Sequence, residues 1–302
     1  MSKPTPGNHR NILAASILVA LLAAVSLILG SITELGAADK WTATAKSIDG
    51  SSITYGVQGQ DKEKENPTLV FIHGWTCNRE FWASQIEYFS KTHRVISLDL
   101  AGHGVSDSKR DNYTMSAFGQ DVAAVVTEMG ADNIVLIGHS MGGPVAIEAA
   151  NLLEEKVIGI VAVDIFFLPG LPDSKDQIGE FMKSFEDDFE AASQAFVRSM
   201  FLPGADPDLI SSIAETMSSA DKNMGISALR NTIEWLIENT PSLPGKYASK
   251  LRNINAVSEE KTPRQEGIVT IPGVGHFIAQ VKPDAFNKAL EKIISERVRN
   301  RP

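Results

Sequence analysis

The sequence predicts an α/β fold: a mostly parallel sheet flanked by helices, with an inserted helical cap. From residue 41 onward, short apolar runs bounded by turn residues alternate with helical patterns, as they do in βαβ units. Between residues 166 and 247, helical stretches punctuated by proline interrupt this alternation. The alternation then resumes, so the interruption is expected to be a cap inserted into one domain that spans residues 39–302.

Composition and charge limit the class of protein. The 302 residues are 43% hydrophobic and 22% charged, as in a globular chain with a sizeable core. The net charge of −9 argues against a nucleic acid or an anionic membrane surface as the main partner, since both attract positive charge. Cys77 is the sole cysteine, which excludes an internal disulfide and a multi-thiolate zinc site.

The N-terminal residues 1–38 are expected to be an export signal or a membrane anchor. Ile12–Leu29 holds only two non-apolar residues and follows the basic residues Lys3 and Arg10. This run is long for a signal-peptide core and just long enough to span a bilayer. The small residues at 36–38 favour cleavage, whereas the length favours an uncleaved anchor. A periplasmic or extracellular location and a membrane-anchored one both stay open.

The first elements follow directly from local patterns. An antiparallel pair is expected over residues 42–59, where Asp49-Gly50 is a hairpin turn signal. Short, mainly apolar runs, which are typical of strands buried on both faces, occupy residues 68–73, 94–98, 133–138 and 157–163. Helical patterns separate them at residues 80–89, 115–129 and 144–153. Strands and helices in this order predict parallel pairing with right-handed crossovers.

The elements after the cap are less regular. A weak strand is expected at residues 253–257, a clearer one at 268–271 and a helix at 283–298. Within the cap, Phe181, Phe185 and Phe189 recur at helical spacing. This apolar stripe is expected to pack in the core or to line an apolar pocket.

The strongest motif is Gly138-His139-Ser140-Met141-Gly142, which follows an apolar strand and precedes a helical pattern. This is a G-x-S-x-G sequence in the context that it requires. The chain must turn sharply at the serine, and the glycines lack the side chains that would collide in so tight a turn. Ser140 is therefore the expected nucleophile.

A serine hydroxyl needs a base, and in this architecture the base is a histidine later in the chain. Of the six histidines, only His276 follows Ser140. It lies on a glycine-rich loop after the strand at residues 268–271, where catalytic groups gather in open α/β sheets. The oxyanion of an acyl-transfer intermediate also needs two backbone donors, one after the nucleophile and one after an earlier strand. Met141 and Trp75 occupy those positions.

Four motifs together resemble the α/β-hydrolase fold family. They are His73-Gly74-Trp75, Asp99 with Gly102-His103-Gly104-Val105-Ser106, Gly138-His139-Ser140-Met141-Gly142, and Gly273-Val274-Gly275-His276-Phe277. The resemblance implies Ser140 as nucleophile, His276 as base, the Met141 and Trp75 amides as oxyanion hole, and a cap over the pocket. It excludes haloalkane dehalogenases and epoxide hydrolases, which place an aspartate where this chain has Ser140.

The acid of the triad is the one departure from the family pattern. The family's usual Gly-x-x-Asp motif after the penultimate strand is absent from residues 251–260. By position Glu259 is the first candidate and Glu260 the second. Asp164 competes with them, because it ends the well-formed strand at residues 158–163 and some relatives supply the acid from that strand end.

These residues predict a serine hydrolase that cleaves a small or medium carboxylic ester through an acyl-serine intermediate, with no cofactor and no metal. The same residues also suit C–C bond, thioester or amide hydrolysis, acyl transfer or cofactor-free peroxidase-like chemistry. A ligand-binding or signalling module that kept the pocket is the alternative from another class, and the irregular acid region favours it.

Overall fold

The computed structural model describes residues 41–59, 66–166, 171–247, 249–257 and 267–299. The expected export or anchor segment at residues 1–38 lies outside the described residues, and so do Glu259 and Glu260. Among the described helices, none is long and apolar enough to cross a membrane.

The described strands form one mostly parallel sheet, which confirms the predicted fold class. They are β1 Trp41–Lys46, β2 Ser52–Gln58, β3 Thr68–Ile72, β4 Val95–Leu98, β5 Ile134–His139, β6 Val157–Val163, β7 Leu251–Val257 and β8 Ile268–Pro272. Their order across the sheet is β1-β2-β4-β3-β5-β6-β7-β8. The pairs β1–β2 and β2–β4 are antiparallel, and every other pair is parallel.

The opening hairpin forms where the turn signal predicts it. Asp49 Oδ1 accepts a 2.9 Å hydrogen bond from the amide of Ser51. Gly50 has φ of +86°, a left-handed conformation that glycine adopts without a steric penalty.

Helices cover both faces of the sheet. They are α1 Ala83–Phe89, α2 Met115–Glu128, α3 Gly142–Leu153, α4 Lys175–Asp187, α5 Phe189–Ser199, α6 Pro207–Ser218, α7 Lys222–Asn239, α8 Leu243–Lys246, α9 Ile278–Val281 and α10 Pro283–Arg299. Short 3₁₀ turns precede α1, β6 and α8. The buried strand β3 alternates between two core clusters: Val70 and Ile72 pack in one, and Leu69 and Phe71 pack in the other. This alternation follows from the two-residue period of a strand.

Helices α4 to α8 form the cap between β6 and β7. Aspartates cap the N-termini of α5, α6 and α7, where the side chains of Asp188, Asp206 and Asp221 each accept a backbone N–H. Phe185 and Phe189 of the predicted stripe are buried, and the cap residues belong to the same hydrophobic cluster as Val70. The cap therefore shares a hydrophobic core with the rest of the domain.

Candidate active site

The elbow at Ser140 is built by its glycine neighbours. Ser140 has φ of +51°, in the left-handed region that non-glycine residues rarely adopt. A Cβ on Gly138 would lie 2.0 Å from the Gly142 carbonyl oxygen, and one on Gly142 would lie 2.5 Å from the Ile72 carbonyl oxygen. The Ser140 amide donates a 2.8 Å hydrogen bond to Val163, which holds the turn against β6. Strain of this kind persists only where the surroundings enforce it.

His276 lies on the loop between β8 and α9, and it borders the same cavity as Ser140. Its backbone amide donates a 3.0 Å hydrogen bond to the carbonyl of Met200, at the end of α5. A Cβ on Gly275 would lie 2.1 Å from that carbonyl oxygen, so glycine permits the loop to approach the cap. The cap thus helps to hold the His276 loop in place.

The partner of the His276 ring is Asp164. His276 Nδ1 lies 2.8 Å from Asp164 Oδ2. Since a carboxylate only accepts, Nδ1 carries the proton, and the neutral imidazole has its basic nitrogen at Nε2. The second oxygen, Oδ1, accepts a 2.7 Å hydrogen bond from the amide of Ala256. Asp164 has φ of +50° and is buried, so its carboxylate is held rigidly at the end of β6.

His139 supports the His276 loop from behind. Its Nε2 lies 3.0 Å from the carbonyl oxygen of His276, and the two rings are 4.7 Å apart. Burial, together with repulsion from His276, lowers the pKa of His139 to about 3. The ring is therefore neutral at ordinary pH and donates from Nε2.

The loop after β3 passes close to Ser140. A Cβ on Gly74 would lie 3.2 Å from Ser140 Cβ, so a larger residue would crowd the nucleophile. Trp75 and Met141, the two candidate oxyanion-hole residues, are both buried and both line the cavity with Ser140. The structure therefore brings together Ser140, His276, Trp75 and Met141 around one cavity.

His73 and Asp99 brace the loops beside the site. His73 Nδ1 lies 2.8 Å from the Gly74 carbonyl, and its Nε2 accepts a 3.0 Å hydrogen bond from the Leu100 amide. Asp99 accepts from the amides of Arg79 at 2.7 Å and Val105 at 3.2 Å. Burial lowers the pKa of His73, so it is a neutral link between the two loops.

The cavity over Ser140 has a volume of about 390 Å³ and a mainly apolar wall. The cap and the neighbouring strand ends supply the apolar lining residues Ile165, Leu171, Phe196, Met200, Leu202, Met217, Leu229, Ile233, Val257 and Val274. Thr232 also lines it, but its hydroxyl donates a 2.7 Å hydrogen bond to the Ala228 carbonyl within α7. A cavity of this size and polarity suits a small or medium apolar group.

Two further features of the described residues bear on the chemistry. Cys77 borders the cavity but is buried, and burial raises the pKa of its thiol. A protonated buried thiol is a poor nucleophile. Within the described parts of the chain, no group of three or more histidine, cysteine, aspartate or glutamate side chains could hold a metal ion.

The acid was the hardest site residue to predict. Glu259, the first candidate from the sequence, lies outside the described residues. Asp164 was the competing candidate, and its signal was an aspartate directly after an apolar strand. That signal is weak, because Asp99 also follows a strand and instead orders a loop.

Known proteins resemble this chain over most of its length. The model of the alpha/beta hydrolase family matches residues 69–289. A 2-(acetamidomethylene)succinate hydrolase of Mesorhizobium japonicum is 24% identical over 83% of this chain and 95% of that protein. A soluble epoxide hydrolase of a Corynebacterium species is 25% identical over 77% of this chain and 82% of that protein.

Solved structures agree on the fold. An esterase from Exiguobacterium antarcticum superposes with a TM-score of 0.68 at 17% identity, over 84% of this chain and 99% of that one. At this level of identity the structural similarity shows the fold, and the names of these relatives give different substrates. Because the family model spans most of the chain, the chain belongs to the alpha/beta hydrolase family.

Proposed function

We propose that the protein is a serine hydrolase that cleaves a small or medium carboxylic ester through an acyl-serine intermediate. The observation that carries the proposal is the 2.8 Å contact between His276 Nδ1 and Asp164 Oδ2, beside a cavity that also exposes Ser140. In this proposal Asp164 takes the place of Glu259 as the acid of the triad. A carboxylate that is hydrogen-bonded to Nδ1 fixes the tautomer of the imidazole and stabilises the imidazolium that forms.

In the acylation step His276 acts first as a base and then as an acid. Ser140 Oγ attacks the ester carbonyl carbon while His276 Nε2 takes the hydroxyl proton. The negative charge on the carbonyl oxygen is stabilised by the amides of Met141 and Trp75. When the intermediate collapses, the carbon–oxygen bond to the alcohol breaks. The alcohol oxygen then receives the proton from His276.

Deacylation repeats these steps with water. His276 Nε2 takes a proton from a water molecule, which attacks the acyl-serine carbonyl. The second tetrahedral intermediate expels Ser140 Oγ, which regains its proton from the imidazolium. The products are a carboxylic acid and the free enzyme.

Two features support an ester with an apolar acyl group. The wall over Ser140 is mainly aliphatic and aromatic, so burying each methylene of an acyl group there removes apolar surface from water and favours binding. The cavity of about 390 Å³ is at the small end of ligand sites. The sequence feature that favours a non-catalytic module is the irregular acid motif at residues 251–260, and Asp164 as the acid removes that support.

A fluorophosphonate probe and a panel of p-nitrophenyl esters test this proposal. We expect rapid labelling at Ser140, abolished in Ser140→Ala. We also expect kcat/KM to rise about fourfold for each added methylene, from roughly 0.8 kcal/mol per buried CH₂, until the cavity is full. Parallel thioester and amide substrates test the competing chemistries. A folded protein that is neither labelled nor active on esters would contradict the proposal.

The domain boundary and the location are also part of this proposal. We infer that residues 39–302 form the hydrolase domain, with a cap at about residues 166–247. Residues 1–38 direct it out of the cytoplasm as a cleaved signal or an anchor. The apolar run Ile12–Leu29 supports the location.

A further inference from the structure

The side chain of Trp75 connects the loop after β3 to the cap. Its indole Nε1 donates a 2.7 Å buried hydrogen bond to the carbonyl of Gly225, in the first turn of α7. The two residues are 150 positions apart in sequence. Trp75 is only 4% exposed and the hydrogen bond is buried, so water does not compete for it.

Cap aromatic rings enclose the same indole. Phe185 of α4 and Phe189 and Phe196 of α5 meet it edge-on, with ring centroids 5.8, 6.0 and 6.1 Å away. A Cβ on Gly225 would lie 2.4 Å from the Phe189 ring, so glycine lets α7 come close enough to accept the hydrogen bond. Three cap helices therefore meet on one side chain.

The backbone of Trp75 is constrained at both ends of the residue. On one side, the Gly74 carbonyl accepts two hydrogen bonds, from His73 Nδ1 at 2.8 Å and from the Cys77 amide at 3.2 Å. On the other, Thr76 has φ of +50° and is buried. The indole adds a third constraint, on the residue whose amide is the proposed oxyanion donor.

We propose that Trp75 is a positioning residue: its indole N–H, bound to the Gly225 carbonyl of the cap, holds the Trp75 amide in line with the oxyanion. An oxyanion donor works only when its hydrogen points to within about 2.7–3.1 Å of the developing charge. Loss of the indole hydrogen bond leaves only the two backbone constraints and so weakens that alignment. The inference rests on the proposed function, because it assigns Trp75 a part in ester hydrolysis.

Trp235 provides a matched control. It lies on the same cap helix, α7, and its Nε1 donates an equally long 2.7 Å hydrogen bond to Glu148 of α3. It therefore also joins the cap to the rest of the domain through an indole. Trp235 is not among the described residues that border the cavity. A purely structural role for the indole predicts the same effect at both positions.

The experiment compares Trp75→Phe and Trp235→Phe in the full chain. For each we measure the Tm, kcat per active site titrated with a fluorophosphonate, KM, and the inhibition constant of an alkyl trifluoromethyl ketone. That ketone forms a hemiketal oxyanion on the serine, so its affinity reports on the oxyanion hole. We expect Trp75→Phe to lower kcat by about tenfold to a hundredfold, less than the roughly 10²- to 10³-fold cost of removing a donor outright.

In Trp75→Phe the inhibition constant should rise by the same factor as kcat falls, with KM and the pH profile of kcat unchanged. Trp235→Phe should lower the Tm and leave the kinetic constants unchanged. The inference is overturned if both variants lose kcat alike, or if Trp75→Phe changes only the Tm. If Trp75→Phe does not fold, 3-benzothienylalanine at position 75 keeps the ring shape and removes only the N–H. A wild-type protein that is not labelled at Ser140 contradicts the proposed function instead.

Discussion

Asp164 accepts a hydrogen bond from Nδ1 of His276 across strand β7, which lies between the strands that carry the two residues. The intervening strand takes part, because its Ala256 amide binds the other carboxylate oxygen at 2.7 Å. The Asp164 amide in turn donates to the Ile254 carbonyl of the same strand at 2.9 Å. Both oxygens and the backbone are thereby fixed before any substrate binds, as electrostatic preorganisation requires.

The acid can be identified by comparing two substitutions. We expect Asp164→Asn to lower kcat by roughly 10²- to 10⁴-fold, because the amide no longer fixes the tautomer or stabilises the imidazolium. Glu259→Gln serves as the comparison and should behave like the wild type. Steady-state kinetics on a p-nitrophenyl ester measure both. A large loss in Glu259→Gln, with Asp164→Asn unaffected, would return the role to Glu259.

Ser140 and His276 should behave as one catalytic unit. We expect Ser140→Ala and His276→Ala each to lower kcat by several orders of magnitude, about 10⁶-fold at most. The double variant should be hardly worse than either single one, since removing one member already disables the other. Circular dichroism checks that each variant is folded. Multiplicative losses, or activity retained in Ser140→Ala, would refute the assignment.

His139 should make the folded state sensitive to acid. Burial lowers its folded pKa to about 3, below the ordinary 6.5 that the unfolded chain recovers. The unfolded state therefore binds the proton first, so stability is fully present above about pH 6.5 and is lost as the pH falls toward 3. The group contributes a slope of up to about 1.4 kcal/mol per pH unit in that window.

Urea unfolding at a series of pH values measures this slope, with His139→Gln as the comparison. Glutamine keeps a donor for the His276 carbonyl but does not titrate. We expect the variant to lose less stability than the wild type between about pH 6 and 4. Equal slopes of unfolding free energy against pH in the two proteins would show that His139 does not contribute to the acid sensitivity.

The apolar run Ile12–Leu29 predicts export of the protein. We expect the full chain, expressed in a bacterium, to leave the cytoplasm. Fractionation followed by mass determination distinguishes the two open forms. Full-length protein in the membrane fraction indicates an anchor, and an N-terminus near Asp39 indicates cleavage. Full-length protein in the soluble cytoplasmic fraction would contradict export.

The sequence alone determined the fold class, and it predicted Ser140 as the nucleophile and His276 as the base. Ser140 could be recognised because a strand-to-helix elbow is a local structure. The clashes that require Gly138 and Gly142 arise within a few residues and with the adjacent strand β3. His276 followed from chain order, since the other five histidines precede the serine. The first inference depends on short-range geometry and the second on the order of residues along the chain, and a sequence records both directly.

Only the tertiary structure decided which polar groups meet around these two residues. Asp164 and His276 are 112 positions apart, and Trp75 and Gly225 are 150 apart. An aspartate after a buried strand looks the same in sequence whether it braces a loop, as Asp99 does, or binds a histidine, as Asp164 does. The difference arises because parallel strands bring their carboxyl ends to one edge, and the order of strands across the sheet then determines which loops are neighbours.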